Sequence, residues 1–288
     1  MKLDDVINTP GFAADPFPVY RRLQDEDPVQ WSEKWNCWVV TRYEDVRTCL
    51  QDARRFSNVG RITGLFHRLF APSQIERLHP LIDHYSHGLI NIDPPAHTRI
   101  RRLLHEVFRP SVIARLRHHV QEFVDGLLIQ AGRRFEVVHD LAHPLPVHVI
   151  TELFGLPRAD VPRFIRWSAG IVEFMQSPAP TFESCLRSQQ ALLDLRACLA
   201  DAIAHRRQQP GQDVLSLMVQ ARSEDGSLTD DEILGTSVTI LLGGHETTTR
   251  LLTTTLLELN RHPDQLERLR NEPALMDAAI EEFLRHAG

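Results

Sequence analysis

The run from Thr229 to Arg261 constrains this chain more than any other segment. Thr229-Asp230-Asp231-Glu232 is a capping box, in which a threonine hydroxyl and a glutamate three residues on satisfy each other's backbone donors at a helix start. No proline follows until Pro263, so the spacing predicts one helix of roughly 45–50 Å at 1.5 Å per residue. Its middle reads Leu241-Leu242-Gly243-Gly244-His245-Glu246-Thr247-Thr248-Thr249. Each glycine in a helix interior costs about 1 kcal/mol relative to alanine. An ionisable glutamate in an apolar stretch costs more unless it finds a partner. Both costs at one point imply a ligand or a reaction there.

Around this helix the chain reads as mainly α with a small β element near its start. Pro28 to Thr41 is rich in β-branched and aromatic residues around a Lys34-Trp35-Asn36 turn, which predicts a hairpin. Tyr43 to Leu50 returns to helical spacing. Residues 58–92 show no sustained period and read as loop with short helical pieces. Asp93-Pro94-Pro95 reads as a helix start with Asp93 as N-cap, and Pro110 as that helix's end. Helical segments follow near 111–131, 145–155, 159–176, 181–208 and 212–222. Pro210-Gly211 and Asp225-Gly226 punctuate them, and helical spacing resumes at 263–271 and 273–286. No internal repeat or linker is present.

The 288 residues suffice for a large core, in two domains or one large helical unit. A net charge of −6 selects no partner. No apolar run approaches the roughly 18 residues that span a bilayer. Met1-Lys2-Leu3-Asp4-Asp5 lacks a signal peptide's basic and apolar segments, so a cytoplasmic location is expected. Cys37, Cys49, Cys185 and Cys198 form no CxxC pair and read as small buried thiols.

Three constellations could carry chemistry. At the first, Gly243 and Gly244 clear side chains from the helix surface, which admits a flat ligand or a local opening of the hydrogen-bond ladder. Glu246 and Thr247 beside them form an acid–hydroxyl pair suited to proton delivery. The plainer alternative is a packing notch with Glu246 paired to Arg250. His245-Glu246 also begins an HExxH zinc motif, but Thr249 occupies the place of the second histidine. At the second, His97 and Arg101 share a helix face and suit an anionic group such as a carboxylate. Arg99, Arg102 and Arg109 point elsewhere and could form a basic patch; a solvated face is the plainer reading. The third is Glu282 and Arg285, a pair at i,i+3. His139, His143 and His148 lie close in sequence, but Pro144 and Pro146 break any shared face and no zinc spacing fits.

Taken in order along the chain, these segments resemble the bacterial soluble cytochrome P450 family. The resemblance covers essentially all 288 residues. Trp38 to Val46 looks like the family's first strand pair and following helix, and Asp93 to Arg102 like its C-helix entry. Pro144-Leu145-Pro146-Val147 and Leu153-Phe154-Gly155-Leu156-Pro157 look like its mid-chain segment. Leu241 to Thr249 looks like its I-helix motif. Arg261 to Leu266 and Glu282-x-x-Arg285 look like its J and K helices. The fold this implies is mainly α: one incomplete domain with a β-containing part over about 1–60 and a helical part over about 93–288.

The resemblance also implies roles. His97 and Arg101 would bind the propionates of haem b. Gly243 and Gly244 would let the long helix cross the haem face. Glu246 and Thr247 would deliver protons to dioxygen, Glu282 and Arg285 would be a structural pair, and residues 60–90 would shape the substrate pocket. It implies a monooxygenase that inserts oxygen into a small apolar or amphipathic molecule. Electrons would come from NAD(P)H through a ferredoxin or flavoprotein reductase, which the arginine-rich face could receive; no nucleic acid or membrane partner is implied. The family's axial cysteine lies on a glycine-containing loop beyond the point matched by Arg285-His286-Ala287-Gly288. None of the four cysteines matches it, and the cysteine thiolate is what favours O–O cleavage. The resemblance thus implies a chain truncated at its C-terminus and inactive alone. The alternatives are a non-catalytic scaffold, or a fragment completed by a second chain.

Overall fold

The computed structural model describes residues 2–7, 9–177, 180–224 and 226–287. Backbone contacts divide it into two compact units, one comprising the residues up to Val59 with Ile92–Pro94, the other Gly60–Asn91 with Pro95 onward.

In the first unit, strands Val29–Ser32 and Cys37–Val40 pair antiparallel, with Trp31 opposite Trp38. Those two rings meet edge to face at 5.7 Å. Asn36 takes a left-handed φ of 49°, which an asparagine tolerates, and so closes the expected turn. The hairpin is tied down by Gln30, whose Oε1 accepts from Leu3 N at 2.7 Å. Leu3, Ile7 and Leu23 form the buried core beside it. Helices Phe17–Glu26 and Tyr43–Gln51 complete the unit.

The second unit is helical. Its main helices are Ala96–Val107, Pro110–Ala131, Pro144–Leu153, Val161–Gln176, Phe182–Gln208, Val214–Gln220, Asp230–Arg261, Pro263–Asn271 and Met276–Ala287. The capping box forms as the sequence implies: Thr229 Oγ1 accepts from Glu232 N at 3.2 Å, and Glu232 Oε2 accepts from Thr229 N at 2.9 Å. The helix it starts has 32 residues. Its buried residues all lie between Ile233 and His245, and no residue after His245 is buried.

Three expectations are corrected. Residues 58–92 are mostly helical, in Arg61–Leu69, Pro72–Arg77 and His79–His87, with a 3-10 turn at Leu89–Asn91. Short pieces packed through aromatic contacts replace a sustained stripe there; Phe174 meets Phe66 at 5.5 Å and Tyr85 at 5.4 Å. Asp93 is not an N-cap. The cap position is Pro95, and Asp93 Oδ1 instead accepts from Asn58 N at 3.0 Å. Pro110 begins a helix rather than ending one, since the preceding helix stops at Val107. Of the expected Asp225-Gly226 turn, Asp225 lies outside the described residues; Gly226 has a φ of 97° and starts a two-residue strand. No helix among the described residues is long and apolar enough to cross a membrane.

Candidate functional site

The two glycines of the long helix face different surroundings. A Cβ placed on Gly243 would meet nothing within 4 Å. A Cβ on Gly244 would lie 3.0 Å from Ile150 Cδ1 and 3.2 Å from its Cγ1. Gly244 is therefore a packing notch that lets helix Pro144–Leu153 approach, and Gly243 alone opens the helix surface. Thr247 lies one turn beyond Gly243, is exposed, and donates its hydroxyl to the Gly243 carbonyl. This is an ordinary back-bond of a helical threonine to the fourth residue before it. Glu246 is 37% exposed and pairs with no arginine among the described ion pairs, Arg250 included. Its Oε1 instead stands 3.8 Å from Nδ1 of His245.

His245 is only 3% exposed. Its Nδ1 is 3.2 Å from Ser168 Oγ on helix Val161–Gln176. The His143 ring meets its ring edge to face at 4.8 Å, and its Nε2 is buried without a partner. Burial, reinforced by His143, holds its pKa down to about 4, so the ring is neutral near pH 7. In sequence His245 reads only as the start of an incomplete zinc motif; in the structure it is a buried core histidine. The signal was available: His245 follows Leu241 by four residues and so continues the core-facing stripe.

His97 is half-buried and Arg101 is exposed on the same face of helix Ala96–Val107. Neither side chain has a hydrogen bond or ion pair to another described residue, and no polar contact joins them to Gly243–Thr247. The basic patch is reduced by pairing. Arg99 binds Glu232 and donates to Ser227 O at 3.2 Å, and Arg109 binds Glu106. Arg99 thereby staples this helix to the start of the long one. Glu282 and Arg285 form a two-toothed pair at 2.5 and 2.6 Å, with both side chains largely exposed. The grouped histidines part company: His143 faces His245, and His148 stacks on Phe123 at 4.1 Å. No group of three or more metal-ligating side chains occurs among the described residues.

A haem with an axial thiolate needs room at the backbone, donors for its carboxylates, and an ionised cysteine. Gly243 has open space at its Cα, and the His97 and Arg101 side chains are donors without a partner among the described residues, so these residues fit the first two needs. None of the four cysteines stands in a loop suited to the third. Each lies within a strand or helix, not a loop. Burial pushes the Cys185 thiol up to about 11 and raises that of Cys198 as well, which disfavours the thiolate.

A family model described as Cytochrome P450 matches residues 71–285. Cytochrome P450 monooxygenase PikC of Streptomyces venezuelae is 36% identical, over 96% of this chain and 64% of its own length. Nocardicin C N-oxygenase of Nocardia uniformis subsp. tsuyamanensis is also 36% identical, over 95% of this chain and 66% of its own. The crystal structure of CalO2 superposes with a TM-score of 0.81 at 32% identity, over 97% of this chain and 68% of that one. P450BioI in complex with hexadec-9Z-enoic acid ligated acyl carrier protein gives 0.83 at 27% identity, over 96% and 69%. The chain thus spans about two thirds of the length of these relatives. The matched segment runs from the helices before Asn91 through the Gly243–Thr247 turn to Arg285, and with these identities it places the chain in the cytochrome P450 family.

Proposed function

We propose that this chain supplies the distal, proton-handling side of a haem-thiolate monooxygenase acting on a small apolar or amphipathic organic molecule. The observation that carries this is the turn from Gly243 to Thr247: an open helix surface, a hydroxyl lying over it, and a half-exposed carboxyl alongside. Haem b, when bound, supplies the oxygen-activating redox chemistry. His97 and Arg101 donate to its carboxylates through charge-assisted hydrogen bonds. Gly243 leaves the space a flat ring needs, and Gly244 fixes the helix behind it. Glu246 is the relay's solvent-facing acid, since it is partly exposed and pairs with no arginine or lysine among the described residues. Thr247 Oγ1 both donates and accepts, so by turning away from the Gly243 carbonyl it passes a proton from Glu246 toward the open face. Glu282 and Arg285 brace helix Met276–Ala287.

The axial thiolate, on this reading, comes from polypeptide other than these 288 residues. Electrons reach the completed enzyme from NAD(P)H through a ferredoxin or flavoprotein reductase. The relatives' names, which include Erythromycin C-12 hydroxylase and Vitamin D(3) 25-hydroxylase, support a compact organic substrate. Completion by further polypeptide is also favoured by an uncovered apolar surface: Leu257, Met276, Ile280 and Leu284 are all more than 40% exposed. Haemin titration tests the proposal. The chain should bind haemin, and His97→Ala and Arg101→Ala should each weaken binding by about tenfold, the equivalent of about 1.4 kcal/mol per lost charge-assisted bond. Binding indifferent to both substitutions would remove the proposal's basis.

A further inference from the structure

Helix His79–His87 is held against helix Phe182–Gln208 by two polar ties of different kinds. Around its start, Gln189 Nε2 donates to Arg77 O at 3.0 Å, and Leu81 N donates to Gln189 Oε1 at 3.3 Å. Nothing in this tie titrates. One turn further on, Arg196 Nη1 lies 3.1 Å from Nδ1 of His84, and Arg196 Nη2 donates to Asp231 Oδ1 of the long helix at 2.9 Å. A guanidinium has only donors, so Nδ1 of His84 has to be the acceptor. The ring is therefore neutral, with its proton on Nε2.

This second tie fails on protonation. A proton on Nδ1 leaves two donors facing each other and sets two positive charges side by side. The charged ring has no replacement acceptor. Asp231 is engaged with Arg196 and largely exposed. Asp83, on the same helix, favours the charged ring, but it is exposed and stands 3.2 Å from His87. Tyr85 meets the ring edge to face at 5.1 Å. Helices Arg61–Leu69 and Pro72–Arg77 also pack on this helix but bring no hydrogen bond or ion pair to the ring among the described residues. Burial first, and Arg196 next, hold the His84 pKa down to about 4. The same end of the helix carries a standing cost. The Tyr85 and Ser86 hydroxyls are both buried without a partner, so each has lost its hydrogen bond to water without replacement.

We infer that the end of helix His79–His87 bearing His84, Tyr85 and Ser86 is an acid-released latch. Arg196 holds it shut through the bare Nδ1 of His84. Protonation turns that tie into a repulsion, and the end swings out about the Gln189 tie, which wets both hydroxyls. The latch stands apart from the haem reading and needs no bound group.

Amide hydrogen exchange of the 288-residue chain tests it. Amides 83–87 should exchange faster than those of helix Phe182–Gln208 at every pH, because local release precedes unfolding. The closed form has the depressed pKa, so it is fully favoured above about pH 6.5 and loses ground as pH falls toward 4. Protection of these amides, corrected for the intrinsic effect of pH on exchange, should fall on the order of 30-fold from about pH 8 to pH 5. His84→Asn keeps an acceptor near the place of Nδ1 but does not titrate, so it should remove most of that fall. Tyr85→Phe takes away one stranded hydroxyl and should raise protection at both pH values. The inference is overturned if amides 83–87 exchange only together with helix Phe182–Gln208, if their protection does not fall with pH, or if His84→Asn leaves the fall intact. The first two readings come from the native chain, so they decide the matter even where a variant does not fold.

Discussion

Replacing each of the two adjacent glycines by alanine should change stability with opposite sign. Alanine gains about 1 kcal/mol over glycine in a helix interior. At Gly243 the added methyl meets nothing within 4 Å, so Gly243→Ala should stabilise the chain by up to about 1 kcal/mol. At Gly244 the methyl lies 3.0 and 3.2 Å from two atoms of Ile150. Ile150 is buried, and its β-branched side chain is held near one χ1 in its helix. Cδ1 can swing aside but Cγ1 cannot, and overpacking of this kind costs about 1–3 kcal/mol. Subtracting the propensity gain leaves Gly244→Ala destabilising by about 0–2 kcal/mol, and the two variants should differ by about 1–3 kcal/mol. Ile150→Val removes the nearer methyl, so it should recover part of the loss in the double variant while costing about 0.5–1.5 kcal/mol alone. Urea denaturation measures all four. Equal destabilisation by both glycine variants would refute the division of labour between them. In haemin titrations the order reverses: Gly243→Ala, though stable, should bind haemin more weakly because its methyl enters the open face.

Further outcomes follow from the same structure. His84 and His245 both have pKa values lowered by burial to about 4, Arg196 adding to the effect at His84 and His143 at His245. The unfolded chain, with histidines near 6.5, then binds more protons than the native one, so stability is full above about pH 6.5 and falls as pH drops toward 4. The urea midpoint should fall over that window, and His245→Gln should flatten the fall. Arg206 donates to Gly155 O at 2.6 Å and to Asp213 Oδ2 at 2.9 Å, with both side chains of the pair mostly buried. Arg206→Met leaves a buried carboxylate unpaired and should cost about 3 kcal/mol in urea denaturation. Alkylation at pH 8 should mark exposed Cys37 in the native chain and reach Cys185 only after unfolding, because burial both shields that thiol and keeps it protonated.

The helices were legible where a local signal marks them. Thr229 and Glu232 fix the start of the long helix within their own four residues, and Pro263 lies just beyond its end. Asn36 and its flanking β-branched residues fix the hairpin in the same way. Residues 58–92 were not legible, since their short helices are held by distant rings such as Phe174 and by Gln189, which donates to Arg77 O at 3.0 Å. At the site, the sequence marked Gly243, Gly244, Glu246 and Thr247 but could not tell the two glycines apart, because the difference lies in Ile150, far away in the chain. The pairing of Arg99 with Glu232 was hidden for the same reason, and it takes one arginine from the expected basic face.

The spectrum of the reduced, carbon monoxide-bound, haemin-loaded chain tests the central claim most directly. The account predicts haem binding that depends on His97 and Arg101, with no thiolate-type Soret band until a cysteine-bearing segment of a relative is added. A thiolate-type band from these 288 residues alone would contradict it, because one of Cys37, Cys49, Cys185 and Cys198 would then be the ligand.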